Sequence, residues 1–264
     1  MRRVTVMLTA VLTAVVLGAA AAPAQAICRS GSDACVDRLI AEMQRNVDRL
    51  GCRHDAAFAL LYERTTEGIR AALRSGAFSD RPLWNRVTTA FGRYYLDAAA
   101  VWRQGHRSRV PAAWRIAFAA ARDKRVATLG DVFLGISAHV NRDLAYVYAR
   151  FRVRSHPDHL VVNTVLSSVQ LTVLPELIAR FDPTLPVQRP RDPALSLDIP
   201  AWRELAWRNA KRLRAAPSRA ARRRVAAGIE RHAAAMARQI RAAFPATAGE
   251  TAARDAHCES VAGR

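Results

Sequence analysis

The sequence predicts an all-α fold, a single-domain bundle of about eight helices, and two observations carry this prediction. Apolar residues recur with the 3.6-residue period of an amphipathic helix through most of the chain, whereas strand patterns are nearly absent. Capping residues, prolines and glycines fall between the periodic segments, where helices begin and end. The chain has 264 residues and no long linker, so one domain is expected over residues 27–244.

The first 26 residues are expected to be a secretory signal peptide. Arg2 and Arg3 precede an apolar run over residues 4–22, and residues 24–26 read Ala-Gln-Ala, the small-residue pattern of a cleavage site. A membrane anchor is the competing interpretation because the run is near spanning length, but the cleavage pattern favours removal. The mature protein is therefore predicted to be extracytoplasmic.

Glycine and proline mark the first four predicted helices. Helices are expected over residues 35–50, 55–74 and 80–104, with a shorter one that begins at Pro111. Gly51, Gly76 and Gly105 follow the first three as helix stops, and Asp80 caps the third.

Two apolar helices follow, and they are predicted to lie in the core. The fifth is capped by Thr128 and extends to residue 151, and the sixth begins at Pro157. The sixth has no charged residue over 160–175, but this stretch is too short and too polar to span a membrane, so a core helix is expected. Pro175 is expected to kink or end it.

The last third of the chain begins with a proline-rich segment. Residues 182–200 contain five prolines, which predicts either an ordered crossing loop or a flexible flap. Two basic helices are predicted over 201–213 and 218–243. Residues 245–264 are small and polar, so a tail is expected there with Cys258 as its tether.

The four cysteines indicate two disulfides, as expected for an exported chain. Sequence alone permits three pairings of Cys28, Cys35, Cys52 and Cys258. A straight helix between Cys35 and Cys52 would separate them by roughly 25 Å, far beyond disulfide range. The favoured pairing is Cys28 with Cys35 and Cys52 with Cys258.

The chain carries a formal net charge of +19, almost all of it from arginine. Residues 201–241 alone hold twelve Arg or Lys residues against two glutamates. This charge predicts attraction to an anionic partner, which could be a cell-envelope polymer, a lipid or a nucleic acid.

Polar side chains form one stripe on the fifth helix and another on the sixth. His139, Asp143 and Tyr146 share one face at helical spacing, and the second stripe consists of His159, Asn163, Ser167 and Gln170. If these helices form an antiparallel hairpin, Tyr146 faces Asn163, Asp143 faces Ser167 and His139 faces Gln170. Such a hairpin would make a satisfied buried hydrogen-bond network.

A metal site is the functional alternative to that network. His139 and Asp143 are candidates for two ligands of a divalent metal ion. Glu63 and Asp97 are candidates for its further, acidic ligands. The hairpin geometry places His159 roughly 16 Å from His139, so the two histidines are not expected to share one metal. At the start of the sixth helix, His156, Asp158 and His159 form a second cluster, for which the structural interpretation is a capping Asp158 beside ordinary exposed histidines.

Several stretches resemble the DUF5995 family of helical proteins. They are FALLYERTTEGIRAAL from Phe58, FSDRPLWNRVTTAFGRYYLDAA from Phe78, VPAAWRIAF from Val110, LGISAHVNRDLAYVYA from Leu134 and HPDHLVVNTVL from His156. They cover roughly residues 55–210, and the resemblance matches His139, Asn141, Asp143, Asp158, Val162 and Asn163. Ile136 and Ser137 stand where the family pattern has Met and Asn. The resemblance implies a single helical domain and supplies no reaction.

Two functions follow from these observations. The first is a secreted, metal-dependent hydrolase of an anionic ester, in which His139 and Asp143 are ligands or an acid/base pair. In it, Asn141 and Asn163 orient the substrate or the ligands. The alternative is a non-catalytic, envelope-binding basic protein whose polar stripes are structural.

Overall fold

The computed structural model describes residues 28–263, and helices account for most of them. The α-helices are α1 Asp33–Leu50, α2 Ala56–Arg74, α3 Arg81–Arg103, α4 Ala112–Asp123, α5 Thr128–Ser137, α6 Leu144–Phe151, α7 His156–Arg180, α8 Ile199–Ala215, α9 Arg219–Ala243 and α10 Ala248–Ala262. Within this part of the chain there is no strand, only an isolated bridge between Val126 and Pro245. The all-α prediction is confirmed, whereas the predicted signal peptide lies outside the described residues.

The predicted helix boundaries are mostly confirmed, with one corrected cap. Asp80 caps α3, its carboxylate accepting a hydrogen bond from the Leu83 amide at 2.8 Å. Thr128 does not cap α5, because its hydroxyl donates to the buried carboxylate of Asp182 instead. The position before α5 is Ala127, whose side chain cannot cap.

Helix α2 lies at the centre of the bundle, packed against α1, α3, α5 and α7. A glycine permits its close contact with α5, because a Cβ on Gly135 would collide with the ring of Phe58. Phe58 also packs edge-on against Tyr95 and tilted against Trp114. The polar residues of the segment between α5 and α6 pack against this aromatic cluster.

Helix α7 is not a core helix, which corrects the sequence prediction. By length and composition it is the one helix among residues 28–263 that could cross a membrane, yet only 28 % of its most apolar window is buried. Leu171 is 78 % exposed, and Leu160 and Leu174 are also exposed. Its inner face packs on α2, where Gly68 lets Val169 approach closely. Pro175 lies inside the helix without ending it.

The C-terminal residues form helix α10, which corrects the prediction of a polar tail over residues 245–264. Thr247 and Glu250 make a reciprocal capping box that begins α10. Arg254 is buried on this helix, where it donates to Asp131 at 2.8 Å and to the backbone oxygen of His54. This buried pair holds α10 against the bundle in addition to Cys258.

Both favoured disulfides are present, Cys28 with Cys35 and Cys52 with Cys258. Two disulfides are typical of extracytoplasmic proteins, because reducing compartments keep thiols free. The Cys52–Cys258 bridge joins the end of α1 to α10 across 206 residues of chain.

The proline-rich segment between α7 and α8 is an ordered loop. Its Asp182 carboxylate accepts hydrogen bonds from Thr184 and Gln188 as well as from Thr128. Further along, the Arg191 amide donates to the Ala243 carbonyl at 2.7 Å. These bonds fix the path by which the chain crosses from α7 to the basic helices α8 and α9.

Candidate functional site

A π-helical turn, Ala138–Asp143, interrupts the helix between α5 and α6. Such turns insert one extra residue into the helical ladder and are frequent at functional sites. This one carries His139, Asn141 and Asp143, the residues that the sequence pattern singled out. All three are buried.

Asp143 holds the imidazole of His139 in one orientation. Its Oδ2 lies 3.0 Å from Nδ1 of His139 and accepts a hydrogen bond from Nε1 of Trp114 at 2.9 Å. Its Oδ1 accepts from the guanidinium of Arg142. With both oxygens occupied, the carboxylate fixes the proton of His139 on Nδ1, which leaves Nε2 with a free lone pair.

The ring of His139 is enclosed by aromatic side chains. It stacks on Phe91 with the ring centroids 3.5 Å apart, and it meets Tyr62 edge-on at 4.5 Å. Nε2 has no hydrogen-bond partner among the described residues. Burial lowers the pKa of His139 below its ordinary value, while Asp143 opposes and Arg142 reinforces that shift. The imidazole is therefore neutral near pH 7 and can accept a proton.

His139 forms part of the wall of a cavity of about 420 Å³. The other walls come from α2, α3, α5, α7 and α8, and they are mainly aliphatic and aromatic. Its volume suits a small-molecule ligand or a hydrocarbon chain. The polar lining is sparse and includes His139, Asn163, Ser167, Gln170 and Arg203. Ser167 and Gln170 are solvent-exposed, so the cavity opens to the surface beside α7.

Arg203 places a buried positive charge in this cavity. Its side chain is only 3 % exposed, and its Nε donates to Oδ1 of Asn163 at 2.7 Å. Nη2 donates to the backbone oxygen of His159 at 2.8 Å. A buried guanidinium without a paired carboxylate attracts an anion.

The predicted hairpin pairing of the two polar stripes is wrong. Tyr146 bonds to Glu230 on α9, Asn163 bonds to Arg203, and the Ser167 hydroxyl donates to the carbonyl of its own helix at residue 163. The reason is packing, because α7 lies mainly on α2 while α6 lies mainly on α8. Asp143 and His139 therefore find their partners on α4, α2 and α3, not on α7.

The remaining predicted site residues lie away from the cavity. Asn141 donates from Nδ2 to the Ser137 hydroxyl at 3.0 Å and does not line the cavity. Glu63 is buried beside Arg64, and Asp97 is exposed in an ion pair with Arg93. In the described chain, neither acid joins His139 and Asp143 in a group that could hold a metal.

A second cluster lies at the N-terminus of α7, and here the sequence interpretation is corrected. Ser155, not Asp158, caps the helix. The Asp158 carboxylate is buried, accepting from the amide and hydroxyl of Ser79 and from Nε1 of Trp84. His159 is also buried, at 1 % exposure. Asp158 thus fixes the start of α7 against α3, which positions both nearby histidines.

The ligand atoms of His156, His159 and Glu204 all lie within 4.8 Å of one another. Nε2 of His156 is 3.1 Å from Oε2 of Glu204, and Nε2 of His159 is 3.6 Å from the same oxygen. Burial, Arg203 and His156 lower the pKa of His159 to about 4, although Glu204 opposes the shift. His139 is not part of this cluster, in agreement with the predicted separation of the two histidines.

Sequence reasoning missed three residues that shape these sites, namely Trp114, Arg203 and Glu204. Nothing in the sequence distinguishes Arg203 from the other arginines of the basic segment over residues 201–241. Glu204 did carry a signal, because it is one of only two acids between residues 201 and 241. Trp114 could be placed in the core from its spacing, but nothing in the sequence connects it to Asp143.

Exposed arginines form a basic surface on α9, defined here as Arg219, Arg223, Arg224, Arg231 and Arg238. Within the described chain these five make no ion pair with a carboxylate. The basic surface is therefore available to an anionic partner.

Comparison with known proteins identifies a family that matches most of the chain. A family model described as "Family of unknown function (DUF5995)" matches residues 36–243. No curated protein and no solved structure matches the chain.

Proposed function

The chain belongs to the DUF5995 family, and from that premise we propose that it is an extracytoplasmic hydrolase of an anionic ester with a hydrocarbon tail, such as a phospholipid. One observation carries the proposal: a neutral histidine oriented by a buried carboxylate lies in the wall of an apolar cavity and has an unpartnered Nε2. A histidine–carboxylate pair of this kind is the usual arrangement of a general base.

The cavity lining supports the substrate class. Its aliphatic and aromatic walls suit an acyl chain better than a nucleotide, whose sugar and phosphates need many polar partners. Arg203 supplies a positive charge for the anionic group of the substrate. The exposed leucines of α7 and the basic surface of α9 suit an anionic membrane as the source of such a lipid.

The proposed reaction uses water as the nucleophile. Nε2 of His139 takes a proton from water, and the oxygen of that water bonds to the ester carbonyl carbon. The carbon–oxygen bond to the alcohol then breaks, and the imidazolium returns its proton to the departing alkoxide. The products are a carboxylic acid and an alcohol. Asp143 stabilises the imidazolium and acts here as an orienting group, because its two oxygens are engaged by His139, Trp114 and Arg142.

A His139→Gln variant tests the proposal. We expect the wild-type protein to release fatty acid from phosphatidylglycerol vesicles and the variant to do so about 10²–10⁴-fold more slowly, because its general base is gone. Liberated fatty acid is measured by mass spectrometry, with His106→Gln, an exposed histidine away from the cavity, as the matched control. Absence of wild-type turnover, or equal rates in both histidine variants, would contradict the proposal.

The pH dependence of the same reaction adds a second measurement. Because the pKa of His139 is lowered, its base form persists below the ordinary histidine pKa of about 6.5. The acidic limb of kcat/KM should therefore lie below pH 6.5, and an acidic limb above pH 7 would count against His139 as the base.

A second candidate function is non-catalytic attachment to an anionic surface, which the basic surface of α9 favours. We expect Arg223→Gln with Arg224→Gln to weaken binding to phosphatidylglycerol vesicles about 30-fold, from roughly 1 kcal/mol per arginine. Sedimentation with vesicles at increasing salt measures this effect. Arg109→Gln with Arg125→Gln removes the same charge from exposed positions outside α9 and serves as the control. Equal losses in the two double variants would mean that net charge alone governs binding.

A further inference from the structure

We propose that His156, His159 and Glu204 form a binding site for one divalent transition metal ion, with Zn²⁺ as its typical occupant. Two histidines and one carboxylate are a known ligand set of zinc enzymes, in which the remaining position holds water or substrate. This site is separate from the His139 cavity wall and is independent of the proposed hydrolase function.

The distances suit a small transition metal. Zinc bonds of about 2.0–2.2 Å place tetrahedral ligand atoms roughly 3.3–3.6 Å apart. The two separations to Oε2 of Glu204, 3.1 Å from Nε2 of His156 and 3.6 Å from Nε2 of His159, bracket that range. His156 and Glu204 are partly exposed, so their side chains can adjust around the fixed imidazole of His159.

His159 is the anchored ligand of the three. Its ring is buried, it packs against Trp207 with centroids 5.3 Å apart, and Nε2 has no hydrogen-bond partner among the described residues. On the opposite side of the ring, Nδ1 lies 3.1 Å from the Tyr148 hydroxyl. With Nε2 bound to a metal, Nδ1 carries the proton and donates it to the Tyr148 hydroxyl, while Nη2 of Arg203 donates to the backbone oxygen of His159 and not to Nδ1.

The charges around this site favour a transition metal ion over a hard cation such as Mg²⁺. Arg203 lies 3.2 Å from Nδ1 of His159, and Arg208 acts electrostatically on Glu204. The positive N-terminus of α7 adds to this field. A hard cation such as Mg²⁺ or Ca²⁺ depends on several anionic oxygens, and this site offers a single carboxylate. A transition metal gains its affinity from imidazole coordination, so the site should take Zn²⁺ and exclude Mg²⁺.

Metal titration of the full protein tests the site. After dialysis against a chelator, calorimetry with Zn²⁺ should show one saturable site per chain, and Co²⁺ should give the visible absorption of a four- or five-coordinate complex. Glu204→Gln and His156→Asn each remove one ligand and should weaken Zn²⁺ binding roughly 100-fold or more. Both positions are partly exposed, so the variants should fold, which a melting curve checks.

His106→Asn is the matched control, because it removes an exposed histidine elsewhere and should leave the affinity unchanged. Binding that is absent in the wild type, equally strong in both ligand variants, or stronger for Mg²⁺ than for Zn²⁺ would overturn the inference. These measurements do not involve ester hydrolysis, so failure of the metal site and failure of the proposed function are distinguishable.

Discussion

A Cys52→Ser/Cys258→Ser variant is expected to lose about 5 kcal/mol of unfolding free energy by the chain-entropy account of disulfides. The bridge closes a loop across 206 residues, which restricts the unfolded chain far more than a short loop does. Because small proteins are stable by only about 5–15 kcal/mol, this loss is a large fraction of the total. Urea unfolding followed by circular dichroism measures it.

The other disulfide provides the control. Cys28 and Cys35 are seven residues apart, so Cys28→Ser/Cys35→Ser should cost about 2 kcal/mol by the same relation. If the two double variants were destabilised equally, loop length would not be the source of the stabilisation.

Asp143→Asn is expected to lower the free energy of unfolding by about 3 kcal/mol. Three donors, from Trp114, Arg142 and His139, converge on this fully buried carboxylate. An amide offers one accepting oxygen and directs its own N–H groups at the remaining donors, so at least one buried donor loses its partner. Arg142 keeps its contact with Glu230, which limits the loss.

Asp97→Asn is the matched control for that substitution. Asp97 is 64 % exposed in an ion pair with Arg93 on the same helix, so the change should cost less than about 1 kcal/mol. The urea midpoint, compared at unchanged m-value, is the measurement. A loss below about 1 kcal/mol for Asp143→Asn would mean that its convergent hydrogen bonds contribute little.

Local contacts within the site could be predicted from the sequence, whereas contacts between distant helices could not. His139 and Asp143 are four residues apart on one helix, so their contact follows from helical spacing even through the π-helical turn. The approach of Trp114 to Asp143 depends on how α4 packs, and helical spacing carries no information about that. The hairpin assumption failed because a short connection does not require the two helices it joins to be packing partners.

The same distinction explains the errors at the surface and at the C-terminus. Helix α7 looked like a core helix because its composition is apolar, but part of that apolar surface lines a cavity and part is exposed. Gly68 was the available signal that α2 and α7 are in contact. The C-terminal helix was missed because its residues are small and polar, although Thr247 and Glu250 have capping-box spacing.

The Cys52–Cys258 bridge also gives the molecule a closed covalent topology. Nearly all of the bundle, from the start of α2 to most of α10, lies within one ring made of backbone and disulfide. A protease that cuts the exposed proline-rich loop before α8 would open that ring at one point without releasing a fragment. The two halves would stay joined through sulfur, so the walls of the cavity, which come from both sides of the cut, would remain in one molecule until the disulfide is reduced.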